Sequence, residues 1–280
     1  MNAALPDRAP ADRRRRRRDW AWLRWAAPIV VGVLLVSAWE ATVRIRKIPH
    51  YKLPAPSAIA ETLAEEQSAL LAAWRVTLKT TLWALAAAVV TGVSMAAIFA
   101  SSRIIENSLF PYAVILQVTP LVAVTPFIVL WVDFDNVGLA QTIGAWIVAF
   151  FPILSNTAIG LRQADPGLRD LFDLYAATAW QKLRLLYAPS ALPFFLAGLK
   201  ISANLALVGA IVAEFAIGPD AANPGLATMI LSSQISQDTP TMFAALAIVS
   251  ATGIGLFLAT SLLSRALLGR WHNSAVEGRR

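Results

Sequence analysis

Charge withdraws from five stretches of the chain, 80–102, 107–132, 136–161, 201–213 and 239–264, in which no Asp, Glu, Lys or Arg occurs. Four of them exceed the ~20 residues a helix needs to cross a hydrocarbon core about 30 Å thick. The fifth joins the uncharged run 185–199 through the single charge Lys200, and a sixth apolar segment, 25–43, is interrupted only by Glu40. The pattern predicts transmembrane helices at about 26–43, 79–101, 109–132, 139–161, 190–217 and 241–264, an all-α polytopic membrane protein. Pro120 and Pro126 in the third span and Pro152 in the fourth predict kinks, tolerated where neighbouring helices satisfy the freed carbonyls.

Between the first two spans, Leu53-Pro54-Ala55-Pro56-Ser57 reads as extended chain, because proline drives the preceding residue out of the helical region. Ser57 is the expected N-cap of a helix through Glu61, Leu63, Glu66 and Leu70, laid along the outer membrane face. The longest inner loop, 162–188, is patterned too. Leu171, Leu174, Tyr175, Ala179, Leu183 and Leu186 recur at helical spacing among Asp170, Asp173, Lys182 and Arg184. This predicts two short amphipathic helices joined by a break near Ala176 and Thr178, with Pro189 ending the element before the fifth span. Such a pair presents an apolar knob, to a soluble partner or to lipid headgroups.

The remaining charge sets the orientation. Residues 13–18 are all arginine, a polybasic run beside the first span that anionic lipid attracts and holds on the cytoplasmic side. With the N-terminus inside, the cytoplasmic segments hold 17 Lys and Arg and the outer ones 6, all 6 in the first outer loop. Both termini are therefore expected in the cytoplasm. The first apolar segment is expected to stay as a signal anchor, since five further spans follow it. The net charge of +7 does not point to nucleic acid, because no aromatic-interleaved basic surface accompanies it.

Composition narrows the chemistry. With 57% hydrophobic and 15% charged residues, the chain falls well outside the roughly 25% charge of soluble domains. It has no cysteine, and its two histidines, His50 and His272, are isolated, so no metal site, cofactor or catalytic residue is expected. An intramembrane enzyme would need a nucleophile–base set or a metal, and neither is visible.

The inner loop resembles the EAA motif of binding-protein-dependent ABC importer permeases: Glu-Ala-Ala, three residues, Gly, nine residues, Ile-x-Leu-Pro. Here the acidic position is Asp170, followed by Leu171 and Phe172; Ala176 stands at the glycine, and Leu186, Ala188 and Pro189 at the end. The resemblance extends over roughly 50–265. Leu53-Pro54-Ala55-Pro56-Ser57 is similar to the Leu-Pro-x-Pro-Ser signature of the nitrate/sulfonate/taurine-type permeases. The run from Thr119-Pro120 to Trp131-Val132-Asp133-Phe134 is similar to their Pro-x-x-Ala-x-x-Pro…Trp-Phe-Gly stretch, with a departure at Asp133-Phe134-Asp135-Asn136, where Gly-containing versions are usual.

The resemblance implies a type I importer permease: a basic cytoplasmic tail at 1–24, a transmembrane permease domain at 25–265 with its coupling loop at about 162–189, and a cytoplasmic tail at 266–280. It also implies the bacterial inner membrane, an ABC ATPase subunit, a periplasmic substrate-binding protein and a second permease copy. The coupling residues it implies are Asp170, Leu171, Leu174, Ala176, Thr178, Leu186 and Pro189. The chain contains no Gly-Lys pair and hence no Walker phosphate loop, so ATP hydrolysis is expected on another subunit. Rival readings are an ion-coupled secondary transporter, poorly supported by one deep acid and no visible repeat, and a channel, which would leave the coupling loop without a purpose. Polar residues within the spans, Gln117, Asn156, Lys200, Asn204 and Glu214, are candidates for the substrate pathway or for helix–helix hydrogen bonding. Lys200 and Asn204, four apart, share a helix face. The expected substrate is a small organic or inorganic anion, or a small heterocycle.

Overall fold

The computed structural model describes residues 23–133, 136–220 and 223–269. The arginine run at 13–18 and most of the C-terminal tail lie outside the described residues. The elements are α1 (Leu23–Ile45), α2 (Pro56–Glu65), α3 (Gln67–Ser101), α4 (Arg103–Val118), α5 (Leu121–Val132) and α6 (Val137–Arg162). There follow α7 (Pro166–Leu174), α8 (Ala179–Lys182), a π-helical turn (Leu183–Tyr187), α9 (Ala188–Ile217), α10 (Leu226–Ile235) and α11 (Thr239–Leu268).

The centre of the bundle is α3, α6 and α9. Along α3, Leu70, Ala73, Thr77, Thr81, Ala84, Ala88, Gly92, Ala96 and Phe99 are buried, a stripe at three- and four-residue spacing made mostly of small side chains. Facing it, Ala145 and Ala149 of α6 and Ala206 and Ala210 of α9 are also buried. In a membrane, lipid is as apolar as leucine, so close backbone approach rather than oily bulk drives such packing. At Gly198 of α9, an added Cβ would stand 2.7 Å from the carbonyl oxygen of Pro152 on α6. Interhelical hydrogen bonds reinforce the seams: Ser202 Oγ donates to the Ala149 carbonyl at 2.6 Å, and Trp146 Nε1 to Thr91 Oγ1 at 2.9 Å.

Four elements depart from the sequence reading. The second span starts at Gln67 rather than near residue 79, since no Pro or Gly occurs between Ser57 and Thr91 to stop the helix. Its 35 residues make a rod about 52 Å long at 1.5 Å per residue, longer than a hydrocarbon core. The third span is two helices, α4 and α5, turning through 103°. Thr119 is extended (ψ 124°) before Pro120, which opens α5 as its N-cap, so the proline breaks the helix rather than kinking it. Ser57 is not the N-cap of α2; Ala55 is, with Pro56 at the first helical position. Pro189 does not end the coupling element either. Helix runs on into α9, and the π turn before it, with the Ala188 N–H bonded five residues back to Leu183, absorbs the proline's missing donor. The loop after α9 also contains a helix, α10, that the sequence reading left out.

Candidate functional site

At the end of the bundle where α6 stops, the chain forms a short two-helix knob. Asp165 caps α7, its Oδ1 accepting from the Gly167 and Leu168 backbone at 2.7 and 3.2 Å. The helix closes with the Ala177 N–H bonded to the Phe172 carbonyl at 2.9 Å, and Ala176 is left-handed at φ 49°. Thr178 then opens α8 with a reciprocal capping box, donating its N–H to Gln181 Oε1 while its Oγ1 accepts from the Gln181 N–H. An ion pair between Lys182 and Asp173 ties the second helix to the first.

These local devices hold apolar side chains in the open. Leu174 is 84% exposed, Tyr175 80% and Trp180 66%, with Leu171 beside them. Asp170 and Pro189 are exposed, whereas Leu186 is buried and anchors the segment to the bundle. An exposed cluster of this kind, on a segment rigidified by caps, marks an interaction surface. Tyr175 and Trp180 were not among the coupling candidates, although each sits at helical spacing from one that was.

The five intraspan polar residues do not converge on one site. Gln117 is exposed in the last turn of α4, beside the break. Asn156 donates through Nδ2 to the Pro152 carbonyl one turn back at 2.9 Å, on the seam with Gly198. Lys200 and Asn204 do share a face of α9, and it abuts α11: Lys200 Nζ lies 4.0 Å from the centre of the Phe257 ring, and Asn204 faces Gly253. Glu214 is buried and receives four donors from the start of α10: the N–H groups of Gly225, Ala227 and Thr228 and the Thr228 hydroxyl. It is thus a helix cap supplied from a neighbouring helix, at the positive end of the α10 dipole.

Glu40 does the same for α2. Its carboxylate accepts from the Ser57 backbone at 3.0 Å and the Ser57 hydroxyl at 2.8 Å, and Arg44 donates to it as well. Two acids inside apolar spans therefore satisfy the orphaned donors of two short helices. For Glu214 the sequence held a signal, a lone acid deep in an apolar span, whereas Glu40 has an intrahelical partner in Arg44 four residues on.

At the Glu214 end lies a cleft of about 510 Å³, lined by Arg75, Lys79, Trp83, Gln141, Thr142 and Asn223. Arg75 and Lys79 sit about 39 and 33 Å along α3 from Ser101 at 1.5 Å per residue, at the rim of a hydrocarbon core rather than within it. Gln141, buried and not anticipated, donates to the Gly218 carbonyl at 2.9 Å and pins the turn after α9.

Similar proteins have known roles. The riboflavin transport system permease protein RibX of Chloroflexus aurantiacus is 32% identical over 98% of this chain and all of its own length. The formylaminopyrimidine transport permease protein ThiX of Halalkalibacterium halodurans is 32% identical over 86% of this chain and 94% of its own. Among solved structures, the MetNI methionine ABC transporter superposes with a TM-score of 0.59 at 19% identity, covering 70% of this chain and 95% of that one, a likeness of fold. Residues 88–271 match the model of the binding-protein-dependent transport system inner membrane component. With its helical spans, the chain belongs to that family, the permease subunits of ABC importers.

Proposed function

We propose that two copies of this chain form the membrane passage of an importer that takes a small heterocyclic nutrient from a periplasmic binding protein and is driven by a separate ABC ATPase docked on the knob at Leu171, Leu174, Tyr175 and Trp180. The observation that carries this reading is the exposure of those apolar side chains on a segment made rigid by Asp165, Thr178 and the Lys182–Asp173 pair. Asp170, Ala176 and Thr178 shape the knob, and Leu186 and Pro189 transmit its movement into α9. Both termini lie in the cytoplasm, which puts the knob on the ATPase side and the Arg75–Lys79–Trp83 cleft at the outer mouth.

The heterocycle is supported by two relatives of about equal identity, named for riboflavin and formylaminopyrimidine transport. The cleft also suits such a ligand, since Trp83 offers a flat apolar face and Arg75, Lys79 and Asp220 line it with charge of both signs, matched to the polar rim of a heterocycle. Gln117, Lys200 and Asn204 keep accessible polar groups and are the pathway contacts in this reading. Asn156 and Glu214 spend theirs on architecture.

The test is reconstitution of the permease with an ABC ATPase and a binding protein that co-purify with it. ATP-dependent uptake of labelled pyrimidines and flavins is expected, with native mass spectrometry giving two permease copies. Uptake driven by a proton gradient in the absence of ATPase would defeat the proposal in favour of a secondary transporter.

A further inference from the structure

A second cavity, of about 750 Å³, opens where α4 begins, α6 ends and α7 folds back. Its polar wall carries the guanidinium groups of Arg103, Arg162 and Arg169 against one carboxylate, Glu106, which is already paired with Arg162. Arg169 is not satisfied. One of its nitrogens donates to the Arg162 carbonyl at 2.9 Å and its plane stands 5.6 Å from the Tyr187 ring, yet its Nε is buried with no hydrogen-bond partner. A buried donor on a charged group left without an acceptor is costly, and the same side chain lines the cavity. The start of α4 adds the positive end of a 16-residue helix dipole on the same side. The lining also has an apolar part, with Phe99, Leu161 and Leu183.

We infer that this cavity is a binding site for a phosphate group, gripped by Arg103 and Arg169, with Arg162 adding charge while it holds Glu106. Guanidinium forks match phosphate oxygens two at a time, and the outer nitrogens of such a fork can reach a ligand in the cavity. A basic lining with an apolar part, at the cytoplasmic end of the spans in the orientation proposed above, suits the headgroup and first carbons of an anionic phospholipid; free phosphate offers the same oxygens. The binding itself rests on the cavity and its charges, and does not depend on what docks on the knob. Its consequence does reach the knob. Arg169 is on α7 and Arg103 starts α4, so the ligand would tie the coupling segment to the turn between α3 and α4.

The experiment follows thermal unfolding of the full-length permease in neutral detergent by tryptophan fluorescence. The additives are phosphatidylglycerol, phosphatidylcholine or inorganic phosphate, at matched ionic strength. Phosphatidylglycerol is expected to raise the unfolding temperature in a saturating manner, phosphatidylcholine to leave it unchanged. The rise should shrink in Arg103→Gln and vanish in Arg103→Gln/Arg169→Gln, while Arg265→Gln, a cation at the end of α11, keeps it. Removing Arg103 puts little strain on the fold, because a cation at the first position of a helix opposes the dipole. A saturating rise with inorganic phosphate alone, lost in the same variants, assigns the site to free phosphate rather than lipid. Equal effects of both lipids, no effect of phosphatidylglycerol or phosphate on the wild type, or a full effect in the double variant overturns the site. If the double variant is not recovered, hydrogen exchange on the wild type decides the matter. Protection of residues 101–107 and 166–172 by phosphatidylglycerol or phosphate, and not by phosphatidylcholine, supports the site, and unchanged exchange refutes it.

Discussion

The carboxylate of Glu214 approaches Gly225 so closely that a Cβ on that glycine would stand 2.5 Å from Oε2. The approach lets one side chain of α9 receive three backbone N–H groups of the loop and helix that follow it, while Thr77 Oγ1 takes a fourth, that of Leu226, at 2.9 Å. Gly225→Ala must push the carboxylate away, and Glu214→Ala removes it and leaves buried donors without an acceptor. Each unsatisfied buried group costs about 1–3 kcal/mol, so Glu214→Ala should lose about 2 kcal/mol or more. The readout is unfolding temperature and yield of folded protein from membranes. Because the role is structural, uptake by whatever Glu214→Gln protein folds should keep its wild-type dependence on external pH. A shifted pH profile at normal stability would instead make Glu214 a proton-coupling residue.

The six apolar segments could be read from the chain because crossing lipid demands long uncharged runs, and because loop charges follow the membrane rather than the fold. The partners of Glu40 and Glu214 could not. Glu214 meets α10 only after the chain turns at Gly218, and Glu40 meets Ser57 only after an extended loop, so neither pairing has a local period to betray it. The 103° turn at Thr119 and Pro120 was marked by its proline, but whether a membrane proline kinks or breaks depends on what neighbouring helices cover. The two short helices at 166–182 were legible, since their break and amphipathic spacing lie within one short segment, whereas their caps, Asp165 and Thr178, went unread. At Ala176, where the family pattern has glycine, the backbone is left-handed at φ 49°, a conformation glycine enters freely and alanine only with strain.

That conformation costs a non-glycine residue roughly 1–2 kcal/mol. Ala176→Gly should therefore be neutral or stabilising, with full transport. Ala176→Val, β-branched and unable to adopt this backbone without strain, should disorder the junction between α7 and α8. Hydrogen exchange at residues 174–180 should slow or hold steady in the first variant and accelerate in the second. Equal exchange in both would mean that the turn is not left-handed in the membrane.

Glu40 and Ser57 join the first span to α2, and α1 makes few other contacts: Ile29 to Val36 are exposed, while Trp39 packs on Phe243 at 6.0 Å between ring centres. Glu40→Ala should free the 46–55 segment without disturbing α3, α6 and α9. Limited proteolysis from the outer side should then cut within that segment faster than in the wild type, with the rest of the chain protected. Unchanged cleavage would show that Trp39 and the Thr239 bond to the Tyr51 carbonyl hold the loop by themselves.

Orientation is open to direct test. Reporter fusions after residues 135 and 225 are expected to register the periplasm, and a fusion after the last residue the cytoplasm, as the 17-to-6 division of basic residues requires. An inverted result at either outer position would place the knob on the side that has no ATP.

The sharpest test concerns the knob itself. Leu174 is among its most exposed side chains, and none of the described residues covers it. If an ATPase subunit receives the knob in a groove, Leu174 is a central anchor, and truncating or charging an anchor costs 2 kcal/mol or more of binding, about thirtyfold in affinity. A carboxylate in that position is worse than a missing methyl, because it enters a desolvated groove without a partner. Leu174→Asp should therefore abolish ATP-driven uptake and release the ATPase during purification, while membrane insertion and the unfolding temperature of the permease stay at wild-type values. The exposed position in the free chain is what separates the two effects: substitution there disturbs no internal contact. A knob that only rests on lipid headgroups predicts otherwise, since an aspartate at the interface simply turns toward water and uptake falls only modestly. Uptake and ATPase co-purification at wild-type levels in Leu174→Asp would remove the docking role from this segment and leave the permease coupled through some other surface.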